Sequence, residues 1–143
     1  MTTTMLSTIL LVIFTSLGFI HFYWLFGGKW GLEKVIPTKD NQLNTLSIPK
    51  FATLIVGLIF VFFGLIYLVK SGLTNLEVPN WVTNYGYWIL PSIFILRAIG
   101  DFKYVGIFKK IKNTNFAKAD SMFFSPLCLT VAILGMLIQL IDK

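Results

Sequence analysis

The sequence predicts an all-α fold, a polytopic bundle of four transmembrane helices with both termini outside the cell (N-out, C-out). Two observations lead to this prediction: four apolar stretches of similar length, and positive charges concentrated in alternate loops. The stretches cover residues 5–26, 51–69, 81–99 and 122–141. Each is close to the ~20 residues that a helix needs to cross the ~30 Å of hydrocarbon in a bilayer.

The placement of positive charge predicts the orientation. The first and third loops together hold ten of the twelve Lys and Arg residues. These ten are Lys29, Lys34, Lys39, Lys50, Arg97, Lys103, Lys109, Lys110, Lys112 and Lys118. Since Lys and Arg accumulate in cytoplasmic loops, both loops are expected in the cytoplasm and the turn over residues 70–80 outside. We therefore expect a multi-pass membrane protein with its two basic loops in the cytoplasm.

Composition limits the classes of function. A chain of 143 residues, 56% of them hydrophobic, has room for a single domain over residues 1–143 with two modest loops. The net charge of +6 lies beside apolar helices and outside any nucleic-acid motif, which indicates anionic lipid headgroups rather than nucleic acid as partners. With Cys128 as its one cysteine, the chain can form neither an internal disulfide nor a Cys-x-x-Cys redox pair. The sequence is compatible with a homo-oligomer as well as with a monomer.

The first helix is expected to end at Gly27 and Gly28, because consecutive glycines make helix continuation costly. It lacks the basic n-region and the cleavage site of a signal peptide, so it is expected to stay in the mature protein. Trp24, in its last turn, is typical of the membrane interface. The loop that follows carries Pro37 and Asn41 as turn formers and has room for a short surface helix.

The second and fourth helices each carry a seam of mostly small residues at steps of three and four, which is typical of close helix packing in membranes. The first seam comprises Thr53, Gly57, Phe60, Gly64, Tyr67 and Ser71. The second comprises Ser121, Ser125, Cys128, Ala132, Gly135 and Gln139. Ser125 and Gln139 are expected to form hydrogen bonds between helices.

The third helix contains Pro91, which has no backbone N–H to donate to the carbonyl of Tyr87. A kink is expected there. Such breaks line cavities in some transporters, but simple bending is the commoner outcome in membrane helices.

The ionisable side chains near the membrane interior are expected at one end of the bundle. The predicted ligand-binding set adds two neighbours to them and comprises His21, Trp24, Arg97, Asp101, Asp120 and Ser125. Helices 1 and 3 run toward the cytoplasm and helix 4 starts from it, so these residues can converge at the cytoplasmic rim. Because charges near hydrocarbon are costly, their clustering indicates a candidate site.

Each ionisable residue also has a purely structural interpretation. Arg97 and Asp101 are four residues apart and can pair on one helix face. Asp120 can cap the N-terminus of helix 4. His21 can donate a structural hydrogen bond.

Three hypotheses for function follow. The leading one is a pocket for a small amphipathic or anionic-headed ligand, with Arg97 on the anion and aromatic side chains on the apolar part. The second is a membrane-embedded enzyme that transfers a proton within an apolar substrate, with His21 as base and Asp101 orienting it. The third is a structural or accessory membrane subunit. The single histidine is not spaced from other potential ligands as metal-binding residues are, so no metal site is predicted. No cofactor-binding motif is present either.

Three segments carry a family resemblance: HFYWLFGG from His21, RAIGDFKYVG from Arg97 and FAKADSMFFSPLC from Phe116. Together they resemble a family of small bacterial four-helix membrane proteins, the domain of unknown function 3995 family. The resemblance implies the four-helix architecture and a bacterial cytoplasmic membrane. Its motifs contain the same rim residues, and it implies no activity and no catalytic residue.

Overall fold

The computed structural model describes residues 1–35, 50–102 and 105–143. Within these ranges every regular element is helical, which confirms the all-α prediction. Three helices are long and apolar enough to cross a membrane: Thr2–Leu25, Lys50–Lys70 and the continuous helix Asn115–Ile141. Helix length and composition therefore indicate a membrane protein.

The chain contains six α-helices and two π-helical turns within the described residues. The helices are α1 (Thr2–Leu25), α2 (Leu32–Val35), α3 (Lys50–Lys70), α4 (Tyr87–Ile99), α5 (Asn115–Ala119) and α6 (Ser125–Ile141). The π-helical turns, Val82–Gly86 and Asp120–Phe124, lead directly into α4 and α6. The short α2 lies in the first loop, for which the sequence leaves room for a short helix but predicts no fold. The predicted turn at Pro37 and Asn41, together with Lys39 and Lys103, lies outside the described residues.

The last helix begins earlier than the sequence predicted, at Asn115 instead of residue 122. Thr114 is its N-cap, and the side-chain oxygen of Thr114 accepts a hydrogen bond from the N–H of Ala117 at 3.0 Å. Because the cap lies six residues upstream, the prediction that Asp120 caps this helix is wrong. Asp120 opens the π-helical turn instead, and its side chain is buried inside the protein.

The long helices pack as α1 along α3 and α4 along α6, with α6 also against α1. Phe14 of α1 is fully buried, and its ring contacts Phe60, Phe63 and Tyr67 of α3 and Phe94 of α4. Aromatic rings at these separations, between 5.4 and 6.3 Å, add directional contacts to apolar burial. This aromatic group forms the centre of the core.

Both predicted seams are confirmed as packing faces. All of their residues are buried except Phe60, which is half-buried, and Ser121, which is exposed. The closest approach is at Gly135 of α6, where a Cβ would lie 2.5 Å from Cγ of Pro91. Pro91 is fully buried inside a continuous α4, so its ring serves as a packing surface for α6.

A tight loop follows α4. Gly100 and Gly106 both have positive φ, 85° and 93°, and the backbone folds back so that Asp101 N–H donates to Val105 O and Ile107 N–H to Ala98 O. A Cβ at Gly100 would lie 1.8 Å from the carbonyl oxygen of Val105. Only glycine permits both this conformation and this contact.

At the opposite end, Asp142 joins three helices. Its carboxylate accepts a hydrogen bond from the hydroxyl of Thr3, in the first turn of α1. It also forms an ion pair with Lys70 at the end of α3. The hydrogen bond from Lys70 holds the pKa of Asp142 below its usual range. We call this group the Asp142 clasp.

The loop after α4 generates the first prediction. We expect Gly100→Ala to lower the free energy of unfolding by at least about 4 kcal/mol, because the added Cβ meets backbone that cannot move aside. Gly27→Ala is the matched control, since Gly27 also has positive φ, 98°, but nothing within 4 Å of a Cβ. The control should lose about 1–3 kcal/mol through backbone strain alone. Thermal unfolding in detergent measures both, and equal losses would contradict the close contact.

The Asp142 clasp leads to a pH-dependent prediction. The pKa of Asp142 is lower in the folded protein, so its contribution to stability is complete above about pH 4 and is lost as the pH falls through the folded value. Asp142→Asn should lower the Tm at pH 7 by at most about 3 °C, since the pair is partly exposed. The difference from wild type should shrink as the pH falls below about 4 and disappear once the pH is below the folded pKa. Glu77→Gln is the exposed-carboxylate control, and a difference that does not shrink below about pH 4 would overturn the assignment.

Candidate functional site

The site is built around Asp120, whose side chain is fully buried. Its Oδ1 accepts a hydrogen bond from Nη2 of Arg97 at 2.8 Å. Its Oδ2 accepts from the N–H of Gly106 at 2.8 Å and from Nζ of Lys109 at 3.2 Å. Donors from α4 and from the loop after it therefore converge on one carboxylate of the last helix. We call Arg97, Lys109 and Asp120 the charged cluster.

Local structure explains how these groups meet. Arg97 lies in the last turn of α4, and the glycine loop that follows brings the N–H of Gly106 back beside the helix end. Asp120 lies in a π-helical turn, a geometry that is often found at functional sites. Two backbone irregularities therefore position the carboxylate and one of its donors.

Lys109 is buried, with 3% of its surface exposed, although it comes from a loop rich in lysine. Its ammonium group donates to the carbonyl of Gly106 at 3.0 Å, to Asp120 and to the hydroxyl of Ser121 at 2.6 Å. In the sequence, Lys109 stands out only as one of the lysines of the basic third loop. Nothing in the sequence separates it from its exposed neighbour Lys110, because its burial depends on how the loop folds.

The charged cluster holds two cations and one carboxylate, which leaves one positive charge without a counter-charge within the cluster. Nη1 of Arg97 is buried and has no hydrogen-bond partner among the described residues. The hydroxyl oxygen of Ser125, in the next helical turn after Asp120, is buried and likewise unpartnered there. The expectation that Ser125 bonds between helices is therefore wrong. Buried polar groups are nearly always paired, so these two are exceptions, as are the hydroxyl of Ser7 and Nε2 of Gln139. In the part of the chain that the structure describes, the expectation of a hydrogen bond between helices is therefore not met by Nε2 of Gln139 either.

A groove of about 260 Å³ lies beside the charged cluster. It is lined by Ile107, Ser121, Ser125, Pro126 and Leu129. The two serines form its polar wall, and Ser121 accepts the hydrogen bond from Lys109, so the cluster lies directly behind that wall. A hydroxyl that accepts from an ammonium group becomes a stronger donor in turn.

Arg97 and Asp101 do not form the predicted pair, because α4 ends at Ile99 and the chain turns at Gly100. Asp101 therefore lies beyond the helix end, and the ion pair of Arg97 is with Asp120. The carboxylate of Asp101 accepts a hydrogen bond from the N–H of Val105 at 2.9 Å and so stabilises the loop.

His21 and Trp24 belong to an aromatic group between α1 and α3. The ring of His21 lies 5.2 Å from that of Trp24 and 5.1 Å from that of Phe60. Its Nδ1–H donates to the carbonyl of Leu17 at 2.7 Å, and Nε1 of Trp24 donates to the carbonyl of Trp30 at 2.9 Å. A backbone carbonyl of the same helix orients the His21 ring, which fits the structural interpretation of this residue.

The predicted site residues are thus distributed over two places. The structure brings Arg97, Asp120 and Ser125 to one end of α4 and α6, with Asp101 in the adjoining loop. It places His21 and Trp24 among aromatic side chains of α1 and α3. Among the described residues, no three His, Cys, Asp or Glu side chains are grouped closely enough to hold a metal ion.

Comparison with known proteins gives one match. No curated protein and no solved structure matches the chain. The family model described as "Protein of unknown function (DUF3995)" matches residues 14–135. The matched region includes Arg97, Lys109, Asp120 and Ser125, as well as all three segments that carried the resemblance. The chain therefore belongs to the DUF3995 family.

Proposed function

We propose that the protein crosses the inner membrane of a bacterial cell four times, with both termini outside, and binds an anionic headgroup at the cytoplasmic ends of α4 and α6. A fourth crossing is supported by the π-helical turn that continues into α4. Together they form 18 residues, 82–99, or about 27 Å if fully helical. That length is close to the ~30 Å of hydrocarbon.

The observation that supports binding is the excess of buried donors in the charged cluster. Two cations face one carboxylate, and Nη1 of Arg97 is buried without a partner among the described residues. An uncompensated charge near hydrocarbon is costly, and an added anion would remove that cost. A purely structural cluster with one carboxylate would need only one cation to have zero net charge.

The chemistry of the available donors indicates the ligand. A phosphate or carboxylate can accept hydrogen bonds from Nη1 of Arg97 and from the hydroxyls of Ser121 and Ser125, and bonds to ionised groups are the stronger kind. Lys110, Lys112 and Lys118 of the same region are exposed. Such surface cations raise the local concentration of anions and of anionic lipid.

Removal of an unpartnered hydroxyl tests the headgroup site. We expect wild type to bind dihexanoyl phosphatidylglycerol at least about tenfold more tightly than dihexanoyl phosphatidylcholine, because only the first carries a net negative charge. Ser125→Ala should weaken phosphatidylglycerol binding about tenfold, the value of one hydrogen bond to a charged group. Thermal-shift titration of the protein in neutral detergent measures both affinities.

The variant and its control separate binding from folding. The Ser125 hydroxyl has no partner within the described part of the chain, so Ser125→Ala should keep the wild-type Tm without ligand. Ser92→Ala removes an exposed hydroxyl that donates to the carbonyl of Trp88 and should leave binding unchanged. Equal affinity of wild type for the two lipids, or wild-type binding by Ser125→Ala, would make the charged cluster a structural clasp only.

The orientation is tested by cysteine labelling in intact bacterial cells. In a Cys128→Ala background, Thr74→Cys should react with a membrane-impermeant maleimide, because the turn between α3 and the next span is expected outside. Lys112→Cys, in the basic loop, should react only after lysis. The reverse pattern would overturn the proposed orientation, and labelling of both sites in intact cells would overturn the fourth crossing.

A further inference from the structure

Hydrogen bonding inside the charged cluster determines which groups can still bind a ligand. An ammonium group has three donors and no acceptor, and the three bonds of Lys109 go to Gly106, Asp120 and Ser121. One oxygen of Asp120 accepts from Arg97, and the other accepts from Gly106 and Lys109. Lys109 therefore has no donor left, and both carboxylate oxygens already have partners.

Three donors beside the cluster remain available. Nη1 of Arg97 and the hydroxyl of Ser125 are buried and have no partner among the described residues. Ser121 accepts from Lys109, so its own hydroxyl hydrogen can still be donated. Both serines line the groove of about 260 Å³. The side of the cluster that faces the groove thus offers hydrogen-bond donors to an anion.

The charges of the cluster sum to +1, because Arg97 and Lys109 are two cations and Asp120 is one carboxylate. A ligand with one negative charge brings this sum to zero. A ligand with two negative charges brings it to −1, and a neutral ligand leaves it at +1. Since a net charge is costly where solvent is largely excluded, the singly charged ligand gives the most stable complex.

We infer that the site selects its ligand by charge: it binds a singly charged phosphodiester and discriminates against a doubly charged phosphomonoester. This inference rests on the proposed function and specifies the chemical class of its headgroup. A phosphodiester carries its one charge on two unesterified oxygens, which can accept from the three free donors. Phosphodiester lipids and soluble phosphodiesters share this chemistry.

The surface charges at the same end have less influence on this preference than the cluster has. Lys110, Lys112 and Lys118 are exposed, and so is Asp101 in the loop after α4. Water and salt screen exposed charges much more than buried ones. The cluster therefore determines the selectivity.

Headgroups of different charge test the inference on the wild-type protein. At about pH 8, dihexanoyl phosphatidylglycerol carries one negative charge, dihexanoyl phosphatidic acid carries two and dihexanoyl phosphatidylcholine carries no net charge. We expect thermal-shift titration in neutral detergent to show phosphatidylglycerol bound at least about tenfold more tightly than either of the others. Phosphatidic acid bound as tightly as phosphatidylglycerol would overturn the inference and leave the headgroup site standing. Equal binding of phosphatidylglycerol and phosphatidylcholine would overturn the proposed function itself.

Soluble phosphates identify the source of the phosphodiester. Glycerophosphoglycerol is the headgroup of phosphatidylglycerol without acyl chains, and glycerol 3-phosphate is the matching monoester. Glycerophosphoglycerol that binds as tightly as the dihexanoyl lipid would indicate a soluble ligand, and weaker binding would indicate a lipid. In both cases it should bind more tightly than glycerol 3-phosphate, and the opposite order would overturn the inference.

A fixed negative charge at Ser125 tests the charge balance without a ligand. We expect Ser125→Asp to have a Tm at least about 3 °C above that of Ser125→Asn, which has the same size and no charge. Ser125→Asp should also bind phosphatidylglycerol no more tightly than phosphatidylcholine. Ser7 is the matched control position, because its hydroxyl is also buried without a partner among the described residues but lies near the start of α1. Ser7→Asp should have a lower Tm than Ser7→Asn, and Ser125→Asp no more stable than Ser125→Asn would overturn the inference.

Removal of one lysine separates the buried charge from surface attraction. Lys109→Gln leaves Arg97 and Asp120 as a neutral pair and should abolish the preference for phosphatidylglycerol over phosphatidylcholine. Lys110→Gln removes the same charge from an exposed neighbour and should keep that preference. Equal losses in the two variants would show that surface charge selects the ligand and would overturn the inference. The comparison of lipids on the wild-type protein does not depend on the folding of any variant.

Discussion

The burial of one carboxylate is the constraint on which the end of the bundle around the charged cluster depends. Asp120 is fully buried in a chain of membrane-spanning helices, where an unpaired charge would cost more than the fold could tolerate. It therefore needs donors from several elements at once, and Arg97, Gly106 and Lys109 supply them. The end of α4, the loop after it and the start of the last helix are tied together by this requirement.

The two ends of the bundle are held in physically different ways. At the end that carries the charged cluster, both Asp120 and Lys109 are withdrawn from solvent, so their interaction is little screened. At the opposite end, Asp142 and Lys70 are partly exposed, and such pairs contribute little. The aromatic core around Phe14 lies between them, and its packing does not depend on charge.

Much of the fold follows from the sequence, because apolar length and the spacing of small residues are local properties. The spans, both seams and the packing face around Gly135 are of this kind. The charged cluster could be predicted only in part. Arg97, Asp120 and Ser125 are identified by the cost of placing polar groups near hydrocarbon. Asp101 is assigned the wrong role, because pairing with Arg97 on one face requires a helix that continues through Asp101, whereas α4, like the predicted apolar stretch, ends at residue 99. Lys109 was missed because its burial arises from the fold of a loop and leaves no trace in composition.

The π-helical turn before α6 has a consequence for the angular phase of the last helix. A π-helical turn holds one more residue than an α-helical turn, and each residue of an α-helix advances about 100° around the axis. With a regular α-helical turn at Asp120–Phe124, the faces before and after it would be out of phase by about that angle. Asp120 could then face the charged cluster or Gly135 could face Pro91, but not both. One additional residue in the turn thus lets a single helix serve the polar site and the packed seam together.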